Sequence, residues 1–307
     1  MNNNYQTIKK RLSSVDKAVT PRSAWNCVQL ARDIKRPGTM EYIHLLFDDF
    51  MELHGDRAFG DDPAMIGGIA LFEGRPVTVI GIKKGSNLKE NLDCNHGMSR
   101  PEGYRKALRL AKQAEKFHRP LISFIDTPGA YPGIDSEERG IGEAIAKNLR
   151  EFALLKIPTI SFIIGEGGSG GALGIGITDK IYLLENAVYS VITPEGFASI
   201  LLHDPSKAEE AADIMKMTSR DLLALKIING IIPEVEEGAQ ADPDFTAQAI
   251  RETIRKDLDI LCKKNKDSLV RYRLKKIRSI GADPDQHEWW QPLLLLMQKI
   301  ESTNQLS

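Results

Sequence analysis

Cysteine is scarce in this chain. Only Cys27, Cys94 and Cys262 occur in 307 residues, an odd set with no Cys-x-x-Cys spacing. That argues against a disulfide framework or a self-contained zinc site, and each thiol reads as a small buried or neutral residue in a reducing compartment. Long apolar runs are missing too. The longest, Ile160–Ile164 and Leu293–Met297, fall far short of the roughly 20 residues a membrane helix needs. The N-terminus, Met-Asn-Asn-Asn-Tyr-Gln, has no apolar signal core, so the expectation is a cytoplasmic protein without a membrane partner. Net charge is nearly absent as well. With 41 Lys+Arg against 42 Asp+Glu, a mainly electrostatic nucleic-acid binder is disfavoured. Disorder is excluded by an apolar fraction of 42%, ample for a core spanning one large domain or two ordinary ones.

Periodic segments fill the chain. Ser23–Ile34 has helical spacing, and after Pro37-Gly38 the Thr39 hydroxyl can cap a helix carrying Tyr42, Ile43, Leu46, Phe47 and Phe50. Met65–Phe72 and Pro76–Lys83 read as strands joined across Glu73-Gly74, and the Asn-rich stretch Lys84–Gly97 reads as a mobile loop. Ser99-Arg-Pro-Glu102 has the form of a capping box opening a helix to about His118. Its basic stripe, Arg105, Arg109, Lys112 and Lys116, reads first as a solvated face and second as a phosphate or acidic-partner contact.

The centre repeats itself. Leu121–Asp126 is a short apolar strand ending in Thr127-Pro-Gly-Ala-Tyr-Pro-Gly133, with a helix expected over Glu137–Leu155. Pro158–Ile164 is a second such strand, ending in Gly165-Glu-Gly-Gly-Ser-Gly-Gly171, where another helix begins. This is the grammar of parallel strands buried on both faces, with functional turns at their C-terminal ends. Strands at Lys180–Leu184, Val188–Ile192 and Gly230–Pro233 follow, with helices over Pro205–Lys226 and residues 243–280 and an apolar tail at Trp289-Trp290 and Leu293–Leu296.

The second glycine run fits several motifs. Gly165-x-Gly167-x-x-Gly170 with Glu185 outlines a dinucleotide fingerprint, but it lies too late in the chain for the first βαβ unit. Gly167-Gly-Ser169-Gly-Gly171 fits a nucleophile elbow, so a serine hydrolase using Ser169 is the alternative function. It lacks a histidine in persuasive order, since His203 precedes Asp204 and His287 sits in the tail. No Gly-Lys-Ser/Thr follows to make a phosphate loop, and Met215-Lys216-Met217 has helical flanks unlike a biotin-carrier hairpin. A backbone role remains. Glycines at a helix N-terminus let N–H groups converge on a developing oxyanion, each worth about 2.7–4 kcal/mol in a transition state. The plainer alternatives are glycines that only permit tight helix–strand packing, and a non-catalytic scaffold.

Ile125–Gly133, Glu137-Glu-Arg-Gly140, Glu143-Ala-Ile-Ala146, Gly165–Leu173, Gly55-Asp-Arg57, Pro101–Leu110 and Tyr189–Gly196 together resemble the carboxyltransferase alpha subunit of multi-subunit acetyl-CoA carboxylase. The likeness runs over about residues 21–235 and is highly specific. It implies an α/β, crotonase-like fold (also seen in ClpP) of repeated ββα units with flanking N- and C-terminal helices. The expected division is an N-terminal arm at 1–20, a crotonase-like domain at 21–260 and a C-terminal helical extension at 261–307. The implied reaction moves a carboxyl group from carboxybiotin, borne on a separate biotin carboxyl carrier protein, to acetyl-CoA, giving malonyl-CoA for fatty acid synthesis. The implied partners are a beta subunit, in an alpha2-beta2 assembly, and biotin carboxylase. Carried over, Gly170 and Gly171 stabilise the biotin ureido oxyanion, Gly167 and Gly168 shape the turn, and Gly129, Ala130 and Tyr131 line the neighbouring wall. The family's zinc ribbon belongs to the beta subunit, so no metal is expected in this chain. Lys83, Lys84 and the Arg105–Lys116 stripe are the candidates for gripping coenzyme A phosphates.

Overall fold

Residues 22–281 are described by the computed structural model; the 1–20 arm, His287, Trp289-Trp290 and Leu293–Leu296 lie outside them. Helix α1 (Ala24–Arg32) is capped by the Ser23 side chain. Gly38, not Thr39, holds the cap position of α2 (Thr39–Leu46), because the Thr39 hydroxyl donates to the Ile82 carbonyl. Strand β1 (Asp48–Glu52) was not expected: it is a largely exposed edge with no alternating apolar signal. Strands β2 (Met65–Phe72) and β3 (Arg75–Ile82) form the expected hairpin, with Glu73 and Gly74 at φ 51° and 78°, as a type I′ turn requires.

Lys84–Gly97 is not an unstructured loop. It contains α3 (Leu88–Asp93), capped by Asn87, and a short 3₁₀ turn, both too brief to show a period in sequence. The capping box at Ser99–Glu102 does not form. Arg100 is the cap residue of α4 (Pro101–Lys116), the Ser99 hydroxyl is buried without a hydrogen bond, and Glu102 is taken by Arg105 and Arg139. Of the basic stripe on α4, Lys116 is exposed, as a solvated face would have it, while the other three side chains are engaged by the protein. Arg105 pairs with Asp56 at 2.7 Å, Arg109 donates to the Gly55 carbonyl at 3.0 Å, and Lys112 pairs with Glu151 at 2.8 Å. The Gly55-Asp-Arg57 loop folds over the helix, and buried Asp56 demands a cation.

Strand β4 (Leu121–Thr127) precedes α5 (Ile134–Glu138) and α6 (Ile141–Leu154). The single helix expected here is broken at Gly140, whose φ is 78°. Strand β5 (Thr159–Gly168) runs straight through the first four residues of the glycine run, and α7 (Ser169–Gly176) starts at once. There follow β6 (Lys180–Leu184), β7 (Val188–Ser190), α8 (Pro194–Leu201), α9 (Ala208–Ile214), α10 (Ser219–Ala224), β8 (Gly230–Ile232), α11 (Pro243–Leu261) and α12 (Lys266–Ser279). Met215-Lys216-Met217 is the turn between α9 and α10, with Lys216 at φ 51°.

The eight strands form one sheet in the order β1-β2-β3-β4-β5-β6-β8, with β7 paired to the C-terminal end of β5. β1, β2 and β3 are antiparallel neighbours and the remaining pairs are parallel. The repeated Ser-Phe-Ile segments lie side by side, Ser123 against Ser161 and Phe124 against Phe162. Tyr42, Phe124, Phe162 and Tyr182 stack across the sheet with centroids 6.1, 5.8 and 5.5 Å apart, each contact worth about 0.5–1.5 kcal/mol beyond burial. Helices α4 and α7 pack on the sheet and α6 on both of them, while α2 packs against β3, β4 and α11. Gly67 lets Leu110 of α4 reach the sheet, since an added Cβ would lie 2.3 Å from its Cδ1.

The last described helix is seated on the core. Arg273 of α12 is fully buried, donating to the carbonyls of Phe152, Leu155 and Ile157 at 2.8–3.0 Å and pairing with buried Asp179 at 2.8 Å. It thereby satisfies carbonyls at the C-terminal end of α6, which helix geometry leaves without intrahelical donors.

Candidate functional site

The two glycine-rich segments meet at the C-terminal ends of β4 and β5. After β4, the Thr127 hydroxyl accepts from the Gly129 N–H at 3.0 Å and donates to the Gly129 carbonyl at 2.7 Å, folding the loop back. Tyr131 is held by its N–H on the Ser99 carbonyl at 3.0 Å and by the Arg100 guanidinium 4.5 Å above its ring. On the β5 side, Gly167 pairs with Thr127 of β4 and with Tyr189 of β7, so the glycines are pinned on both edges. The direction change falls on one residue, Ser169, at φ 49°. Left-handed backbone at a residue with a Cβ is strained. The extended run through Gly168 arises because β7 offers β5 a second partner where β6 stops, a pairing that sequence pattern alone does not reveal.

Each glycine has a different reason to be there. A Cβ on Gly168 would stand 2.1 Å from the Pro128 carbonyl oxygen, and one on Gly171 would stand 2.6 Å from the Gly129 carbonyl carbon and 2.7 Å from the Ala130 nitrogen. The second loop thus rests directly on the Pro128–Ala130 backbone. Gly167 admits the Tyr189 ring, whereas a Cβ on Gly170 would meet nothing closer than Ile145 at 3.7 Å. Gly168, Ser169 and Gly170 are half-buried, as are Gly129, Ala130 and Tyr131. Gly168 and Gly171 thus meet Pro128–Ala130 along one seam, with Gly167 paired to Thr127 at its root and Gly170 and Tyr131 next to them in the chain. The first-turn N–H groups of α7 have no carbonyl four residues back within the helix, and its cap residue Gly168 supplies no side-chain acceptor. They point out at the positive end of the helix dipole.

Helix α7 is clamped from behind. The Tyr104 hydroxyl donates to the Gly171 carbonyl at 3.2 Å, Gly174 makes room for the Tyr104 ring, and Asn148 donates to the Tyr104 and Gly174 carbonyls at 3.0 Å each. None of these four contacts was foreseen from sequence.

An unforeseen charge cluster lies below the seam. The Lys84 ammonium is 2.7 Å from Asp126 Oδ1 and 2.9 Å from Glu166 Oε2, and Glu166 also meets Arg32 at 2.7 Å. Arg32 continues to Glu195 at the start of α8, at 2.6 Å. Asp126 Oδ1 accepts the Glu166 N–H at 2.9 Å as well, tying β4 to β5. Burial alone would push the Glu166 carboxyl up and the Lys84 ammonium down. Lys84 and Arg32 instead hold Glu166 below its usual range, and the two carboxylates hold Lys84 above its own. Lys84 is thus committed to an internal pair and is not a free phosphate ligand. The available signal was an acid within or at the end of apolar buried strands, Asp126 and Glu166, which calls for a buried cation. Nearby, Arg36 and Glu234 form a second buried pair at 2.6 Å.

The rival motifs fail on geometry. Ser169 is hydrogen-bonded to no histidine among the described residues; histidine rings there engage Asp61 (from His54) and Lys266 (from His118), and His203 is exposed after α8. Gly165 lies inside a strand, and Glu185 is paired with Arg220 and the Glu234 N–H rather than poised over a nucleotide turn. Among the described residues, no group of three His, Cys, Asp or Glu is placed to hold a metal ion, and no helix is long and apolar enough to cross a membrane.

Residues 1–281 match the family model described as acetyl co-enzyme A carboxylase carboxyltransferase-like. The chain is 63% identical over 276 residues to the acetyl-coenzyme A carboxylase carboxyl transferase subunit alpha of Treponema denticola, covering 90% of each. It is 53% identical over 283 residues to the same subunit of Listeria monocytogenes, covering 92% of this chain and 89% of that one. Among solved structures it is similar to transcarboxylase 12S, with a TM-score of 0.62, 20% identity, and coverage of 80% of this chain and 47% of the other. A Pseudomonas malonate decarboxylase hetero-tetramer in complex with coenzyme A gives a TM-score of 0.58 at 17% identity, covering 78% and 93%. These structures share the crotonase-like carboxyltransferase fold, the α/β architecture that the sequence motifs implied.

Proposed function

The chain belongs to the family of acetyl-CoA carboxylase carboxyltransferase alpha subunits, and we propose accordingly that it supplies the biotin-side half of a site that carboxylates acetyl-CoA to malonyl-CoA. The observation that carries this is the seam itself: a helix N-terminus opening directly onto the Gly129–Tyr131 wall, in a chain of this family. Carboxybiotin, brought by a separate biotin carboxyl carrier protein and charged by biotin carboxylase, supplies the carboxyl group and a ureido oxygen that becomes anionic. The Gly170 and Gly171 N–H groups donate to that oxygen. Gly168 keeps the strand close enough to Pro128 to fix their direction, Gly167 shapes the turn by admitting the Tyr189 ring, and Gly129, Ala130 and Tyr131 form the facing wall.

Two converging N–H donors fit a carbonyl oxygen that gains charge, and their low-dielectric, pre-aimed setting gives each about 2.7–4 kcal/mol at the transition state. No side-chain general base is needed here if the anionic ureido group takes the acetyl methyl proton, which agrees with a seam lined by backbone. The acetyl-CoA enolate is assigned to the beta subunit, in an alpha2-beta2 assembly in the cytoplasm. Residues 21–260 are the carboxyltransferase domain in this reading. The test is an assay of malonyl-CoA formation from carboxylated carrier and acetyl-CoA, with and without the beta chain. We expect almost no transfer by this chain alone and robust transfer by the pair; robust transfer by this chain alone would sink the half-site assignment.

A further inference from the structure

We propose that Lys84 is a positioning residue for the transfer reaction, one ammonium that sets the spacing of the two glycine loops by holding Asp126 and Glu166 together. The inference rests on the carboxyltransferase reading above. Asp126 stands two residues before Pro128, and Glu166 stands two residues before Gly168, so each carboxylate is at the root of one wall of the seam. Lys84 arrives from a third element, just past β3, and reaches both at 2.7 and 2.9 Å.

The packing leaves no slack around these contacts. A Cβ on Gly165 would lie 2.5 Å from Asp126 Oδ1, and one on Gly97 would lie 2.8 Å from Lys84 Cγ and 2.9 Å from the Asp126 carbonyl oxygen. The 85–97 segment therefore folds back over Lys84. Arg32 of α1 bridges Glu166 to Glu195 of α8, and Arg36, which also acts on Asp126 through space, is spent on Glu234. Tyr42 also faces Asp126, but burial keeps its phenol protonated.

Without the ammonium, two carboxylates would face each other with only Arg32 left in direct contact with one of them. Like charges in such a site either push apart or take up a proton. Pushing apart opens the gap between Pro128 and Gly168, where the backbone is already in contact. Taking up a proton restores the spacing. Lys84 thus acts on the reaction through the loops and touches no reacting atom.

The experiment uses this chain reconstituted with its beta subunit and carboxylated carrier. Lys84→Met is expected to lower kcat about 100-fold, the scale of a misplacement near 1 Å, with KM for acetyl-CoA within about threefold because that ligand is held on the other subunit. Lys84 helps hold the Glu166 carboxyl below its usual range, so without the ammonium Glu166 takes up a proton more readily and the ratio of variant to wild-type rate should rise as pH falls from 8 to 6. Lys84→Met/Glu166→Gln should recover at least about tenfold over Lys84→Met at pH 8, and Lys84→Arg should stay within about fivefold of wild type. A Lys84→Met chain as fast as wild type, or a variant-to-wild-type ratio flat in pH with no gain in the double variant, overturns the proposal. If Lys84→Met alone does not fold, the double variant decides: folded and active supports the proposal, folded and inactive ends it, and unfolded assigns Lys84 to stability alone. Wild-type protein that makes no malonyl-CoA with its beta subunit would instead fail the carboxyltransferase reading, before Lys84 is tested.

Discussion

Gly171→Ala is the sharpest test of the seam. The added methyl carbon would stand 2.6 Å from the Gly129 carbonyl carbon and 2.7 Å from the Ala130 nitrogen, both backbone, so the two loops must part by about 0.8 Å to reach ordinary contact at 3.4 Å. Forcing a methyl into close-packed backbone costs about 1–3 kcal/mol of stability. The larger effect is on catalysis. A displacement of that size takes an N–H out of the 2.7–3.1 Å range in which it stabilises an oxyanion, and losing one such donor costs about 2.7–4 kcal/mol, or 10²–10³ in kcat. Gly170→Ala supplies the control for folding. Its methyl meets only Ile145 at 3.7 Å and its φ is not left-handed, so the fold should gain about 0.4–1 kcal/mol through a less flexible unfolded chain. The measurements are denaturant unfolding of each variant and malonyl-CoA formation with the beta subunit. A Gly171→Ala chain that folds and keeps more than about a tenth of the wild-type kcat would refute the assignment of that N–H.

Three further outcomes rest on other parts of the structure. Arg273→Met leaves Asp179 buried without its cation and strips donors from three carbonyls; a loss of about 3–5 kcal/mol, or roughly 10 °C in a thermal melt, is expected, and an unchanged melt would contradict it. Burial, only partly opposed by Asp179, pushes the Lys276 ammonium down to about 8 from an unfolded value of 10.5. Between those values the unfolded chain holds the extra proton, so the stability of wild type relative to Lys276→Met should rise as pH climbs from 8 toward 10.5; a pH-independent difference in urea unfolding would rule this out. Ser169→Ala should keep transfer within about fivefold, whereas removing a true serine nucleophile costs orders of magnitude; a dead Ser169→Ala beside an active Gly171→Ala would revive the hydrolase.

The strands and most helices were legible because their apolar positions repeat at 2 or 3.6 residues over long enough windows: β2 and β6 emerged where expected, and the helical stretch expected over 243–280 emerged as α11 and α12 with an unforeseen break at 262–265. What escaped was short or non-local. β1 has no buried alternation, and α3 is six residues long. Ser99 and Glu102 had capping-box spacing, but Arg139, 37 residues away, claims Glu102. The seven glycine-loop residues were legible because glycine at a strand–helix junction has a local meaning. Lys84, Arg32 and Tyr104 were not, because their roles depend on partners 42, 82, 134 and 67 residues away. Sequence reasoning treated Gly170 and Gly171 as a pair; only the packing shows that one has room for a methyl and the other does not.

The seat of Arg273 bears on how the chain is made. Asp179 and the carbonyls at the end of α6 are fully enclosed by a side chain that lies 94 or more positions further on. A ribosome extruding this protein releases the whole glycine seam well before it releases that guanidinium. Until then the nascent chain carries a carboxylate it cannot comfortably bury, beside a helix end without donors. The sheet can begin to assemble during synthesis, but the enclosure of Asp179 must wait for α12, the last described helix.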